Sequence, residues 1–361
     1  MKIAVVIPTL TVGGAEKIAL ETATGFAEAG HDVSLIILSD KVILSTPENI
    51  KIYKGVSSIY RLIMVMKKLR IDHCVSYMER ANLVSAISCR ILNIKHCATV
   101  HTAPVAGFKL RGRKNRLAIS LTYRLLSLFN IKIVGVCKGI IADLNKLYGI
   151  TNSYVIPNFL DVDETIKSSM LEQIDEVYDF IFVGRLTKIK GCHIFIEALG
   201  RIKDYCHVEN IKVAIIGDGP EKEDLLYRIN KYELQNCVQM LGPKKNPYPY
   251  IKKAKSIVVP SYAEGFGMVV LEGLALGTKV IFSRCDFGPK EIIGTHFKEL
   301  CSLGFENPSI NAERAVAELS IIIKSEINDA LVFDSASAQI RVALNYNKQK
   351  ACELFLDVLD R

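Results

Sequence analysis

Short apolar runs recur along the chain, each followed by a stretch whose apolar residues return every three or four positions. KIAVVIP (2–8) predicts a strand, GGAEKIALETATGFAEAG (13–30) a helix closed by glycine, and DVSLIIL (32–38) a second strand. Further strands are expected at DHCVSY (72–77), HCATVH (96–101), IKIVGV (131–136) and SYVIPN (153–158). The polar segment DVDETIKSSMLEQIDEVY (161–178) then interrupts the pattern, which restarts. Strands are expected at 179–184, 211–217, 237–242 and 256–260, with helices over 191–202 and 220–232 between them.

Such β-α alternation predicts an α/β fold with parallel, doubly wound sheets. A chain of 361 residues suits two domains of about 150 residues each. We therefore expect two Rossmann-like domains, 1–160 and 161–338, facing across a cleft. A C-terminal helical segment, about 339–361 with its amphipathic pattern over 339–358, is expected to pack back onto the first domain. In these sheets ligands sit outside the carboxyl ends of the strands. That directs attention to the loops at 9–14, 101–108, 184–191, 217–220, 242–249 and 260–268.

Hydrophobic content of 50% and a mean hydropathy of +0.23 fit well-buried sheets. The ten cysteines are scattered singly without a C-x-x-C, which fits reduced thiols in a cytoplasmic protein better than a zinc or disulfide framework. The opening MKIAVVIPTL reads as a first strand rather than a signal peptide, because Glu16 arrives before any small-residue cleavage site. No apolar run approaches the ~18 residues needed to span a bilayer.

Charge divides the chain. Residues 1–160 carry 21 Lys/Arg against 9 Asp/Glu, whereas residues 161–361 carry 25 against 29. The basic first half suggests an anionic partner. From His96 through Lys138 there are eight Lys/Arg and no acid. Just before, IYRLIMVMKKLR (59–70) sets Ile59, Leu62, Ile63, Met66 and Leu69 at helical spacing among Arg61, Lys67, Lys68 and Arg70. A stripe of this kind can rest on anionic lipid or face a core; with the acid-free stretch beside it, we expect peripheral contact with an anionic membrane. No recognised nucleic-acid module appears, so nucleic acid is not an expected partner.

Several loops carry candidate chemistry. FVGRLTKIKG (182–191) sets Arg185 and Lys190 five apart in a strand-to-helix loop, after Gly184, where two cations can hold a diphosphate. As isolated features, two basic residues in a loop are more often ordinary surface charges. IIGDGP (215–220), with Gly219, is a second strand-to-loop turn and lacks the third glycine of a dinucleotide fingerprint. VGGAEK (12–17) puts Gly14 at a helix start where backbone amides can approach phosphate, or simply make a tight turn; it lacks P-loop spacing. SYAEGFGMVVLEGLAL (261–276) has Glu264 on a glycine-rich bend and Glu272 eight residues on, in a largely apolar helix. Helix-end amides at the bend can take phosphate, so the carboxylates are left for hydroxyl-rich groups: a sugar and a ribose.

The combination G-R-L-x-x-x-K-G, G-D-G-P and E-G-F-G with a glutamate eight after the first resembles the retaining family 4 glycosyltransferases of the GT-B fold. GGAE, VHT (100–102) and VIPN (155–158) support it in the first half, while GPKEII (288–293) and KNPYPYIKKA (245–254) look like the bacterial subgroup that builds lipopolysaccharide and other surface glycans, usually from UDP-sugars. The resemblance implies a hexosyltransferase moving a hexose or N-acetylhexosamine from a nucleotide sugar to a lipid-linked or anionic glycan, with retention, at the inner face of the cytoplasmic membrane. It implies that Arg185 and Lys190 neutralise the leaving diphosphate without a metal ion or other cofactor, and that Glu272 holds the ribose. Glu264 would bind sugar hydroxyls, with Gly265 in the bend and the amides of Phe266, Gly267, Met268 and Val269 near the phosphates. Gly14 would face the diphosphate, Gly242, Pro243 and Lys244 would flank the base, and His101 would lie near sugar and acceptor. Thr278 stands where the family often has proline, and Asp161-Val162-Asp163 imitates a metal-binding D-x-D but sits where a helix should begin. A nucleotide-sugar epimerase or dehydrogenase would need the missing dinucleotide fingerprint. A non-catalytic glycan- or lipid-binding protein on the same fold is the remaining alternative, and retention of both Arg185/Lys190 and Glu264/Glu272 counts against it.

Overall fold

A computed structural model describes residues 1–11, 13–44, 46–102, 113–285, 287–293, 303–328 and 335–361. The chain divides into two compact units, Met1–Phe159 with Lys348–Arg361, and Leu160–Asn347. Each is built on one parallel sheet.

The first unit contains strands β1 (Lys2–Ile7), β2 (Asp32–Ile37), β3 (Lys51–Tyr53), β4 (His73–Tyr77), β5 (Lys95–Val100), β6 (Lys132–Gly135) and β7 (Ser153–Val155), in spatial order β3-β2-β1-β4-β5-β6-β7. β1 pairs in register with β2 (Ile3 opposite Val33) and with β4 (Ile3 opposite His73). Ile3 through Ile7 are buried, as a central strand covered by helices on both faces requires. The helix Gly14–Glu28 packs against the helix Lys348–Asp360 at the C-terminus: Phe26 meets Phe355 edge-on at 6.2 Å. Gly25 allows the approach, because a Cβ there would lie 2.3 Å from the Cys352 sulfur.

The second unit contains β8 (Phe180–Val183), β9 (Val213–Ile216), β10 (Val238–Gly242), β11 (Ser256–Val259), β12 (Lys279–Ser283) and β13 (Leu303–Phe305), in order β10-β9-β8-β11-β12-β13. Its core joins Phe180, Phe195, Ile215, Val258 and Ile281 to the helix Ala312–Ile327 through Leu319 and Ile323. Chain order reverses between β8 and β11, so the loops leaving these two strands sit at the topological switch point.

Two expectations need correction. The single helix expected over 339–358 is two, Ser335–Asn345 in the second unit and Lys348–Asp360 in the first. The Tyr346 carbonyl accepts from the Leu160 amide at 2.8 Å and so is not continuing a helix. The lipid-facing stripe at 59–70 is also revised: Leu62 and Met66 of the helix Ile59–Leu69 are buried in the first core, with Val65 and Leu69 packed against it. Tyr60 and Met64 of that helix stay exposed, off the expected stripe, and further apolar exposure lies on the helix Arg113–Leu128, where Leu117, Leu121 and Leu128 are exposed beside exposed Arg116 and Arg124. Glu272 is 9% exposed, in keeping with its place in a largely apolar helix. Asp161 caps the helix Val162–Ser168, its carboxylate accepting from the Glu164 amide at 3.0 Å. No helix among the described residues is long and apolar enough to cross a membrane.

Candidate active site

The loops leaving β8 and β11 are clasped together. After Val183 the backbone runs through Gly184 and the exposed Arg185 to a single 3-10 turn, Lys188–Lys190, ending at Gly191 in the left-handed region (φ +67°). A Cβ at Gly191 would lie 2.0 Å from the Pro260 carbonyl oxygen, and the Tyr262 amide donates to the Ile189 carbonyl at 2.8 Å. Only glycine lets the two backbones approach this closely. The G-D-G-P turn buttresses them: the Leu186 amide donates to Asp218 at 2.9 Å, and a Cβ at Gly217 or Gly219 would strike the carbonyls of Gly184 or Leu186. A segment that reads as a plain turn in isolation is a wedge under the Arg185 loop.

This closeness brings Lys190 to Glu264 across 74 positions of sequence. The Lys190 ammonium contacts both carboxylate oxygens, at 2.7 and 2.8 Å. The Ser261 hydroxyl donates to Oε1 at 2.6 Å, and the Ser283 hydroxyl donates to the Ser261 carbonyl. Glu264 is 8% exposed, whereas the Lys190 side chain is 33% exposed. Thus two residues with separate expected duties, phosphate and sugar, are bound to one another here. Cys285 lies beside them; burial first, then the Glu264 charge, pushes its thiol up to about 12, so it is an inert neutral neighbour.

The E-G-F-G bend ends in Gly267 (φ +91°), which starts the helix Met268–Ala275 without a side-chain cap. The first intrahelical bond back to the Gly267 carbonyl comes from Val270 at 2.9 Å, so the amides of Met268 and Val269 head the helix, where such groups can donate to an anion. Phe266 itself is buried, edge-on to Tyr346 at 5.8 Å. The 288–289 turn closes over it, for a Cβ at Gly288 would lie 2.2 Å from the Phe266 carbonyl. Further along the helix, Glu272 accepts from the Tyr248 hydroxyl at 3.3 Å. Asn246 anchors that tyrosine's backbone at 3.2 Å and donates to Ser168 at 2.7 Å. Pro243 and Lys244 follow β10, with the Lys244 ammonium 5.2 Å from the Tyr250 ring centre. Ser261, Ser283, Tyr248 and Asn246 are additions to the residues expected from sequence; a serine three before Glu264 and the tyrosines of KNPYPY were the available signals.

Gly14 and His101 belong to the first unit, at the carboxyl ends of β1 and β5. Glu16, buried in the first turn of the helix, accepts from Thr9 at 3.2 Å and Thr11 at 3.1 Å, and a Cβ at Gly13 would lie 2.3 Å from its Oε2. A carboxylate thus braces the glycine turn from beneath. His101 stacks on Tyr77 at 5.3 Å and contacts the Thr99 hydroxyl through Nε2 at 3.1 Å. Burial lowers its pKa to about 4, so the imidazole is neutral at pH 7. Its buried Nδ1 has no hydrogen-bond partner among the described residues. The expected loop at 101–108 lies outside the described residues from position 103.

Comparison with known proteins follows these two units. The Glycosyltransferase Family 4 model matches residues 12–164, and the Glycosyl transferases group 1 model matches residues 164–338. A 4-alpha-N-acetylgalactosaminyltransferase of Campylobacter jejuni, named for an N-acetylgalactosamine-N,N'-diacetylbacillosaminyl-diphospho-undecaprenol, is 26% identical over 95% of this chain and 97% of its own length. An uncharacterized glycosyltransferase of Methanocaldococcus jannaschii is 28% identical over 67% of this chain, which spans 62% of that protein. Among solved structures, Anabaena Alr3699/HepE in complex with UDP and glucose superposes with a TM-score of 0.81 at 16% identity, covering 100% of this chain and 99% of that one, a likeness of fold.

Proposed function

We propose that this transferase, a chain built of family 4-type and group 1-type glycosyltransferase domains in the GT-B fold, moves a hexose or N-acetylhexosamine from a UDP-sugar to a hydroxyl of a lipid-linked or lipopolysaccharide-type glycan. The observation that carries this reading is the clasp of the β8 and β11 loops. It gathers an exposed Arg185, the Lys190–Glu264 pair and the amides of Met268 and Val269 in one domain, at the switch point of its sheet.

The chemistry follows from the charges. Breaking the anomeric C–O bond builds negative charge on the departing diphosphate oxygen, and preorganised cations and amides stabilise that charge without a bound metal. Arg185, Lys190 and the helix-end amides do this work. Glu272, held by Tyr248, accepts from the ribose hydroxyls, and Pro243 and Lys244 flank the base. Glu264 accepts from hydroxyls of the transferred sugar. His101, neutral at pH 7, contributes a hydrogen bond rather than a charge. Retention proceeds at the front face: the acceptor oxygen bonds to the anomeric carbon as the phosphate leaves, and the acceptor's proton passes to that phosphate. No side chain serves as covalent nucleophile.

The acceptor assignment draws on the Campylobacter relative, whose name gives a diphospho-undecaprenol substrate, and on the basic first half of this chain. The exposed leucines and arginines of the helix Arg113–Leu128 suit peripheral contact with an anionic membrane, at its cytoplasmic face. Calorimetry with UDP and GDP, then turnover of a UDP-sugar panel with a lipid-linked acceptor in the presence of chelator, tests the reading. UDP binding and chelator-resistant transfer are expected. Activity that vanishes on chelation and returns with manganese refutes the metal-free mechanism, and absence of nucleotide binding refutes the site.

A further inference from the structure

We propose that Ser261 is a positioning residue that keeps the Glu264 carboxylate in place while Lys190 leaves it for the diphosphate of a bound donor. This rests on the donor site proposed above and assigns an order of partners within it.

Among the described residues Glu264 has two side-chain donors, of unequal permanence. Ser261 is 1% exposed, follows β11 after the single residue Pro260, and has its own carbonyl held by the Ser283 hydroxyl at the end of β12. Lys190 sits on a one-turn 3-10 segment, with a long flexible stem and a side chain one-third exposed. An arriving diphosphate carries more charge than one carboxylate and competes for the ammonium. A carboxylate as buried as Glu264, stripped of every donor, would be strongly disfavoured. Ser261, at 2.6 Å from Oε1, prevents this. Oε2, now contacted by Lys190 at 2.8 Å, is then released to accept from a sugar hydroxyl. When the nucleotide departs, the ion pair re-forms and helps expel it.

The test compares the wild type with Ser261→Ala, Glu264→Gln, Glu264→Ala and the double alanine variant, reading UDP affinity by calorimetry and donor kcat and KM by nucleotide release. Glu264→Gln should tighten UDP binding about three- to tenfold, because a neutral amide neither holds Lys190 as an anion nor repels the diphosphate. Ser261→Ala should leave UDP affinity within about twofold while lowering kcat about ten- to thirtyfold, the loss of a hydrogen bond to a charged group. In the Glu264→Ala background, which leaves the Ser261 hydroxyl no carboxyl or amide oxygen to donate to, Ser261→Ala should add less than about a twofold loss, since Ser261 acts through Glu264. Should Ser261→Ala fail to fold, Ser261→Cys, a weak donor, is measured in the same cycle.

Losses that multiply in the double variant overturn the proposal, because they would mean that Ser261 only packs. Normal kcat in folded Ser261→Ala, or UDP binding that Glu264→Gln does not tighten, overturns it too. These outcomes leave the donor site standing; a wild-type protein that binds no UDP removes both.

Discussion

Replacing Lys190 by methionine removes the ammonium while keeping a stem of similar length. In the resting protein the penalty is modest. The side chain is one-third exposed, solvent screens the pair, and Glu264 keeps its bond from Ser261. The expected loss of stability is about 1–2 kcal/mol. For a domain of this size that lowers the melting temperature by about 2–8 °C. The reaction suffers far more. Losing one preorganised donor to a developing oxyanion typically costs about 10²–10³ in rate, roughly 3–4 kcal/mol of barrier. Nucleotide release from the donor, in the presence of a lipid-linked acceptor, measures the rate. Melting followed by circular dichroism controls for folding, because the chain has no tryptophan to report by fluorescence. A kcat within about tenfold of wild type, in a variant that melts normally, would refute the assignment of Lys190 to the leaving group.

The wedge predicts that Gly217→Ala damages the site from below: with φ at +149° and the new Cβ 1.9 Å from the Gly184 carbonyl oxygen, it should cost about 1–3 kcal/mol and weaken UDP binding; an unchanged melt and unchanged calorimetry would show that the loops tolerate it. Burial holds the pKa values of His96, His101 and His193 at about 3, 4 and 4, below the ordinary 6.5. Their neutral forms therefore add stability that is complete above pH 6.5 and lost as pH falls toward 4. Between pH 7.5 and 5.5 the fall should be about 2–4 kcal/mol in total, read from urea midpoints; a flat midpoint contradicts it. Leu117→Glu with Leu121→Glu should abolish cosedimentation with phosphatidylglycerol vesicles while leaving UDP affinity intact, and vesicle binding equal to wild type would rule out that helix as the contact.

The periodic elements were legible because a strand covered on both faces must be a continuous apolar run, as at Ile3–Ile7. Three strands escaped for local reasons. β3 is only three residues, exposed Lys51 and half-buried Ile52 and Tyr53, β12 is embedded in the apolar run that follows the helix Met268–Ala275, and β13 spans only Leu303–Phe305. The stripe at 59–70 had the right spacing for either lipid or core, and spacing alone does not say which solvent a face meets. Leu62 and Met66 went to the core because the helix lies against a sheet.

By itself, the sequence determined which residue types would stand at the carboxyl ends of which strands, since apolar periodicity and glycine punctuation are properties of neighbouring positions. Arg185, Lys190, Glu264 and Glu272 could be named on that basis. What only the tertiary structure decided is which of them meet. Lys190 and Glu264 touch because β8 and β11 are adjacent in the sheet, and because Gly191 lets one loop pass within contact of the Pro260 carbonyl. Ser261 and Ser283 became part of the site through that same adjacency. Pairing across 74 residues is set by the packing of whole strands, and no local pattern encodes it.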